Sequence, residues 1–383
     1  MVDEFRRLYG STEGLRIFRA PGRVNLIGEH TDYNLGFVLP MALQLATFVA
    51  TAPSPDGKLR IYSEHRKQMR EWNAAQIPEL RPEHNWTDYA IGVVRELVAM
   101  RFPIEPANLL VRSTIPEGSG LSSSAALEVA SALALLKSRP LDPLELARLC
   151  QRAEHNFVGI PCGIMDQYCS VFGHEQAALD LDCRSLQHSL APLPAGIVFV
   201  AVNTMVKHAL ATSAYQERVA ECATAARLLR VDSLRDVAPG PFAAVADSLP
   251  EAIARRARHV ITENERVRCF VEACGRGDLA AMGRLLVESH RSLQYDYAVS
   301  CPELDFLVDS ALAIDGVYGA RMTGGGFGGC AIALLQQEAL PRFRLEIAEA
   351  YQRRFRVMPE IYICRASGGA AEVNNFETIP AAA

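Results

Sequence analysis

Paired CxxC thiols, zinc-ligand spacings, basic runs interleaved with aromatics, long apolar stretches and fixed-period repeats are all missing from this chain of 383 residues. Its ten cysteines, at 150, 162, 169, 183, 222, 269, 274, 301, 330 and 364, have no histidine partner at finger spacing. That excludes a structural zinc site and reads as reduced, mostly buried thiols. With 39 Lys+Arg against 44 Asp+Glu and a net charge of -5, a nucleic acid finds little to grip. The opening MVDEFRRLYG has acidic residues where a secretory signal is basic and has no apolar core, and runs such as GIVFVAV at 196–202 are too short to span a bilayer. The expectation is a soluble, cytoplasmic monomer with small-molecule partners and no obligate protein, membrane or nucleic-acid partner.

What is present is 49% hydrophobic and 22% charged residues, enough for one large or two medium cores. Leu43 to Ala50 and Leu59 to Ser63 are strand-like around the turn signal Asp56-Gly57, which predicts a hairpin with a long loop. Tyr89, Val93, Leu97 and Met100 recur at helical spacing, predicting a helix over 86–100 that Pro103 stops. Asn108 to Ile115 reads as a strand, Ser122 to Lys137 as an alanine- and leucine-rich helix, and Leu144 to Phe157 as a helix capped by Asp142. A further helical segment starts at Ile164, and Ala178 to Leu181 and Gly196 to Asn203 are strand-like. The second half is mainly helical: Ser213 to Leu229, Glu251 to Ala273 and Leu279 to Tyr295, interrupted by Gly275 and Gly277. A glycine-rich run from Gly319 to Gly329, a strand from Ala331 to Leu335 and a helix around Pro341 to Phe355 follow, with a loose tail after Asn374. Strands come in pairs before helices come in clusters, so the reading is α+β, two-lobed, with lobes 1–185 and 186–383.

Three clusters carry chemistry. Gly118-Ser119-Gly120-Leu121-Ser122-Ser123-Ser124 places glycines where backbone approaches a ligand, then the unpaired N–H groups of a helix start, which suit phosphate. A Rossmann fingerprint wants a glycine where Ser123 stands, and a Walker A loop wants Gly-Lys-Ser/Thr; a plain capped turn stays open. Phe18 to Pro40 shows neither helix nor strand period, and within it the polar cluster Gly28 to Asn34 looks like a site loop held between apolar flanks. Together with Arg23, its Glu29, His30 and Asp32 make a polyfunctional rim suited to a polyol, or an ordinary polar turn. Asp166 is either a helix-start charge or a functional carboxylate; Glu154 and His155 are either solvated helix-face residues or, for Glu154, a Mg²⁺ ligand beside a serine hydroxyl and phosphate oxygens.

The stretches Gly22 to Tyr33, Gly120 to Ala126, Pro161 to Gln167 and Gly324 to Gly329 together resemble the motifs of galactokinases within the GHMP kinase superfamily, across nearly the whole chain. The resemblance implies a two-lobed α+β kinase with its active site in the cleft, moving the terminal phosphoryl group of ATP onto the anomeric hydroxyl of galactose with Mg²⁺. It implies sugar contacts from Glu29, His30, Asp32, Gly163, Asp166 and Tyr215, catalysis by Asp166 with Arg23, and ATP contacts from Trp86, Gly118, Ser119, Gly120, Leu121, Ser122, Ser123 and Ser124. Ser124 and Glu154 are implied for the metal; a core role for Trp86 stays open. Glu117 and Ser119 depart from the apolar residue and glycine of many relatives, and Lys207 stands where an arginine is frequent, losing its bidentate fork. A kinase for N-acetylgalactosamine, glucose or galacturonate, or a non-catalytic galactose and ATP sensor, are the alternatives; the uninterrupted Ser122 to Ala126 weighs against the sensor.

Overall fold

The computed structural model describes residues 1–137, 139–207, 211–376 and 379–380. Near the N-terminus, α1 (Val2–Tyr9) tucks Phe5 under a six-stranded sheet, against Ile17, Phe48 and Leu110. Five of the sheet's strands are β1 (Arg16–Asn25), β3 (Pro40–Pro53), β4 (Lys58–Ser63), β5 (Gln68–Asn73) and β6 (Ala107–Ser113), the sixth coming from the end of the chain, and the short β2 (Phe37–Val38) pairs elsewhere. Buried on both faces over most of its length, β1 carries no polar alternation, which is why period reading misses it.

The expected hairpin between 43 and 63 is not formed. The turn does reverse the chain, but β6 lies between the two strands, antiparallel to β3 (Val49 opposite Val111) and parallel to β4 (Ile61 opposite Leu109). Six consecutive residues of β6 are buried, so it needs ladder partners on both edges, and a central position supplies them.

Behind this sheet pack α2 (Thr87–Ala99), α3 (Ser123–Leu136), α4 (Pro143–Arg152) and α5 (Met165–Phe172). The alanines of α3 allow it to be buried on nearly every side, against the sheet and the other three helices. As expected, Asp142 caps α4, accepting from the backbone N–H of Leu144 and Glu145. The helix then loosens into one π turn, Ala153–Val158, which displaces Glu154 from the regular helical path. β7 (Ala177–Asp182) and β8 (Gln187–Pro192) join β2 in a three-stranded sheet.

The second half holds an antiparallel sheet in the order β10-β11-β9-β12, from β9 (Ile197–Lys207), β10 (Val317–Thr323), β11 (Gly328–Gln336) and β12 (Glu360–Cys364). Around it stand α6 (Ala211–Leu229), α7 (Pro239–Val245), α8 (Glu251–Arg276), α9 (Leu279–Ser292), α10 (Pro302–Leu312) and α11 (Leu340–Phe355). Gly275 does not interrupt α8; only Gly277, left-handed, ends it. The glycine-rich run from 319 is not one loop: β10 runs to Thr323, because Gly319 lets the strand sit directly on Gly283 of α9, where a Cβ would come within 2.2 Å of a carbonyl oxygen. β13 (Ala371–Glu372) returns to pair with β1, and a shared apolar cluster, including Val24 and Leu39 with Phe199 and Ile332, joins the two halves.

Candidate active site

Two cavities open beside one another. The smaller, about 390 Å³, is lined by Arg23, Glu29, His30, Asp32, Gly163, Asp166 and Tyr215, so every residue named above for the sugar is at its wall. The larger, about 1240 Å³, is lined by Trp86, Gly118, Gly120, Ser122, Ser123 and Ser124 among others. Arg23, Gly120, Asp166, Gly324 and Gly325 belong to both walls, so the cavities meet there.

That junction is built by backbone irregularity. Between Pro21 and Arg23 the register against β3 shifts, because β3 takes four residues, from Ala46 to Ala42, where β1 takes two, and Arg23 stands just past this irregularity at the cavity wall. Gly22 permits it, since a Cβ there would meet the Leu121 carbonyl oxygen at 2.5 Å. The Arg23 guanidinium is nearly buried; its Nε donates to Asp166 Oδ1 at 2.8 Å, Nη2 lies 2.6 Å from the same oxygen, and Nη1 donates to the Gly120 carbonyl at 2.5 Å. Asp166, in the first turn of α5, also accepts from Ser122 Oγ at 2.5 Å on Oδ2 and stays partly open to the cleft.

The phosphate-type loop has the predicted shape. Gly118 and Gly120 are left-handed, and α3 begins at Ser123, with Ser122, Ser123 and Ser124 lining the larger cavity. Ser119 folds its hydroxyl back onto the Pro116 carbonyl at 2.8 Å, away from the cavity, whereas Glu117 pairs with Arg66 at the larger cavity's wall. Leu121 is a core residue whose carbonyl takes the Arg23 N–H. Trp86 lies at the larger cavity's wall and also packs against the core formed with α2. The side chain of Lys207 lies outside the described residues.

At the smaller cavity Asp32 is half-buried, and its desolvation, helped by the nearby Asp166, pushes its carboxyl up to about 7. Gly163 sits so close that a Cβ would come within 1.9 Å of Asp32 Oδ2. Burial pushes His30 down to about 3, so the ring is neutral; its Nδ1 is 2.8 Å from the Tyr33 hydroxyl, itself 2.7 Å from that of Tyr297. His30 and Tyr33 each lie 5.6 Å, ring to ring, from Tyr215. Glu29 Oε1 accepts from the Gly324 N–H at 2.8 Å and Thr323 Oγ1 at 3.0 Å and lies 3.2 Å from the buried Arg321. One of its oxygens thus fastens the first motif to the third.

Glu154 is buried, and burial together with Asp166 pushes its carboxyl up to about 7. Ser124 bonds to it, and Gln167 Nε2 donates to it at 2.6 Å and to the fully buried Glu128 at 3.0 Å. A buried acid with excess negative charge beside it and a hydroxyl alongside is a hard-oxygen donor pair that fits Mg²⁺ once phosphate oxygens complete the shell. Among the described residues no group of three or more His, Cys, Asp or Glu side chains could hold a metal alone. Sequence reading missed Gln167, Glu128, Arg321 and Tyr297, which look like helix or strand residues; only the placement of Gln167 beside Asp166 hinted at a role.

The patterns described as "GHMP kinases N terminal domain" and "GHMP kinases C terminal" match residues 88–174 and 270–353, which assigns the chain to the GHMP kinase class of phosphotransferases. At 18% identity, a mevalonate kinase structure shares the fold alone, with a TM-score of 0.67 over 91% of this chain and 98% of that one.

The first 50 residues narrow the class. The "Galactokinase galactose-binding signature" matches residues 3–53. The chain is 43% identical to a galactokinase of Roseiflexus sp. (strain RS-1), over 97% of this chain and 96% of that protein, and 46% identical to one from Homo sapiens over 91% and 90%. The crystal structure of Lactococcus lactis galactokinase complexed with galactose superposes with a TM-score of 0.94 at 34% identity, covering 97% and 98% of the two chains. The chain belongs to the galactokinase family.

Proposed function

We propose that this enzyme phosphorylates galactose at its anomeric hydroxyl with ATP, the sugar in the smaller cavity and the nucleotide in the larger. The observation that carries the reading is the Arg23–Asp166 pair, which stands where the two cavities meet. An anomeric hydroxyl is more acidic than an ordinary alcohol yet neutral at pH 7, so a carboxylate at hydrogen-bond distance takes its proton as attack develops. The O1–H proton passes to Asp166, O1 forms a bond to the γ-phosphorus, and the bond to the β–γ bridging oxygen breaks, leaving ADP with the electron pair. Arg23 stabilises the developing charge on O1, while Asp32, His30 and Tyr215, with Glu29 and the bare backbone at Gly163, orient the ring.

Within Gly118 to Ser124, the backbone N–H groups and the Ser123 hydroxyl offer donors to the phosphates, and Trp86 flanks the base. Ser124 and Glu154 would hold Mg²⁺, which when bound supplies charge neutralisation of the phosphate oxygens. One chain carries the whole site, so we take the monomer as the working unit, with residues 1–185 and 186–383 as its lobes. Ten free cysteines, all buried except Cys162 and Cys269, suit a reducing compartment, and we assign the enzyme to the cytoplasm. No helix among the described residues is long and apolar enough to cross a membrane.

The test is product identity over a sugar panel. With galactose, N-acetylgalactosamine, glucose and galacturonate, ADP release and phosphorus NMR should give a 1-phosphate with highest kcat/KM for galactose. Preference for another sugar, or no ADP release at all, refutes the assignment. Asp166→Asn should lower kcat at least ~100-fold with the fold retained. Ser124→Ala and Glu154→Ala should raise the Mg²⁺ needed for half-activation more than the galactose KM, and unchanged metal titrations in both would remove them from the metal shell.

A further inference from the structure

We propose that Ser122 is a positioning residue for the Asp166 carboxylate, its hydroxyl proton committed to that group and not to a phosphate oxygen. The inference rests on the reading of Asp166 as proton acceptor and assigns Ser122 a duty other than the ATP contact expected from its motif.

Backbone conformation is the first support. Ser122 has φ 60° and ψ 46°, a left-handed conformation in which a residue with a Cβ is strained and glycine is the natural occupant. The loop does use glycine where shape alone matters, at Gly118 and Gly120, both at positive φ. A serine kept in such a position needs a reason in its side chain. Helix capping is not that reason: although Ser122 stands at the N-cap of α3, its side chain makes no capping hydrogen bond.

The second support is proton accounting. Ser122 Oγ lies 2.5 Å from Asp166 Oδ2, and that carboxylate can only accept, so the hydroxyl donates. A hydroxyl has one proton, and a phosphate oxygen of ATP at neutral pH is likewise an acceptor. Ser122 therefore cannot donate to both, and in the geometry present the proton is spoken for. Ser123 and the free N–H groups of α3 remain for phosphate, the Ser124 hydroxyl being bonded to Glu154.

The third support is what the contact does for the carboxylate. Arg23 holds Oδ1 through Nε and Nη2, and Ser122 holds Oδ2. Restraint at both oxygens fixes the plane of the group, while Oδ2 keeps a second lone pair for the incoming O1 proton. Since Ser122 belongs to the phosphate-type loop and Asp166 to a helix 44 residues later, the bond also ties the proton acceptor to the element that positions the phosphoryl donor. Misplacement of either by 1 Å costs ~100-fold in rate.

The experiment compares Ser122→Gly, Ser122→Ala, Asp166→Ala and the double variant Ser122→Gly/Asp166→Ala, by steady-state kinetics and thermal unfolding. Both serine variants should lose kcat by about 10- to 100-fold, the range of one charge-assisted hydrogen bond, with ATP KM changed less than about 3-fold. Ser122→Gly should nevertheless keep or raise Tm, because glycine relieves the left-handed strain; a purely structural serine would lower Tm and kcat together. In the Asp166→Ala background the glycine substitution should leave the residual kcat unchanged. A retained kcat with a raised ATP KM would make Ser122 a phosphate ligand and overturn the proposal, as would an equal loss of kcat with and without Asp166. Wild-type turnover in Asp166→Ala alone would instead refute the acceptor reading itself, a different result from any of these.

Discussion

Gly163→Ala isolates one contact in the sugar pocket. The Cβ it adds would lie 1.9 Å from Asp32 Oδ2, 2.2 Å from Cγ and 2.8 Å from Cβ, and nothing else is nearer. Ordinary contact between such atoms begins near 3.5 Å, so the carboxylate must retreat by ~1.5 Å. Gly163 is outside the positive-φ set, so alanine suits its backbone, and such a replacement stabilises by ~0.4–1 kcal/mol through the unfolded chain. The fold should therefore survive while the pocket does not. A 1 Å misplacement of a positioning group is worth ~100-fold, so kcat/KM for galactose should fall by at least that factor at saturating ATP. The ATP KM should stay within about 2-fold, because Gly163 does not line the nucleotide cavity. In an Asp32→Ala background the same substitution should do little, since the clashing partner is gone. A galactose efficiency within about 3-fold of wild type would show that Asp32 is not what fixes the sugar. Equal losses with and without Asp32 would show that Gly163 acts by another route.

Other substitutions probe the same wall from different sides. Asp32→Ala should lower kcat/KM for galactose far more than for glucose, since the two differ only at the carbon 4 hydroxyl and a charge-assisted hydrogen bond is worth ~1.5–3 kcal/mol; an unchanged ratio would put selection elsewhere. Because burial raises the Asp32 carboxyl to about 7 from 3.8, the folded state binds its proton more tightly than the unfolded chain, and stability present below about pH 4 is lost as pH rises through about 7. Asp32→Asn should therefore lose less Tm than wild type between about pH 5 and about pH 8 without sugar, and parallel curves would contradict the burial argument. Glu29→Ala should destabilise by ~3–5 kcal/mol in urea unfolding, because Arg321, fully buried 3.2 Å from Glu29, is left uncompensated. Adding Arg321→Met should restore part of that loss, and no recovery would mean that Glu29 acts through the glycine loop alone.

Local features were legible in the sequence wherever the physics is local. Two left-handed glycines followed by a helix start gather backbone N–H donors on consecutive residues, so the shape of Gly118 to Ser124 could be read before any fold was known. Asp142 capping α4 and the helical periods of α2 and α8 are decided within a few turns of chain in the same way. The family motifs, each a contiguous stretch, brought the kinase class with them. Pairings between distant segments were not legible. The strand between β3 and β4 arrives more than 40 residues after the turn, and no residue near Asp56 encodes its insertion. β1 was hidden because burial on both faces erases alternation. Arg23 and Asp166 stand 143 residues apart, and only the pairing of β1 in the sheet and the placement of α5 bring guanidinium and carboxylate into contact. Glu128, Gln167 and Arg321 read as ordinary helix and strand residues because a charge or amide acquires its role from what desolvates it and what faces it, and both are properties of the packed interior.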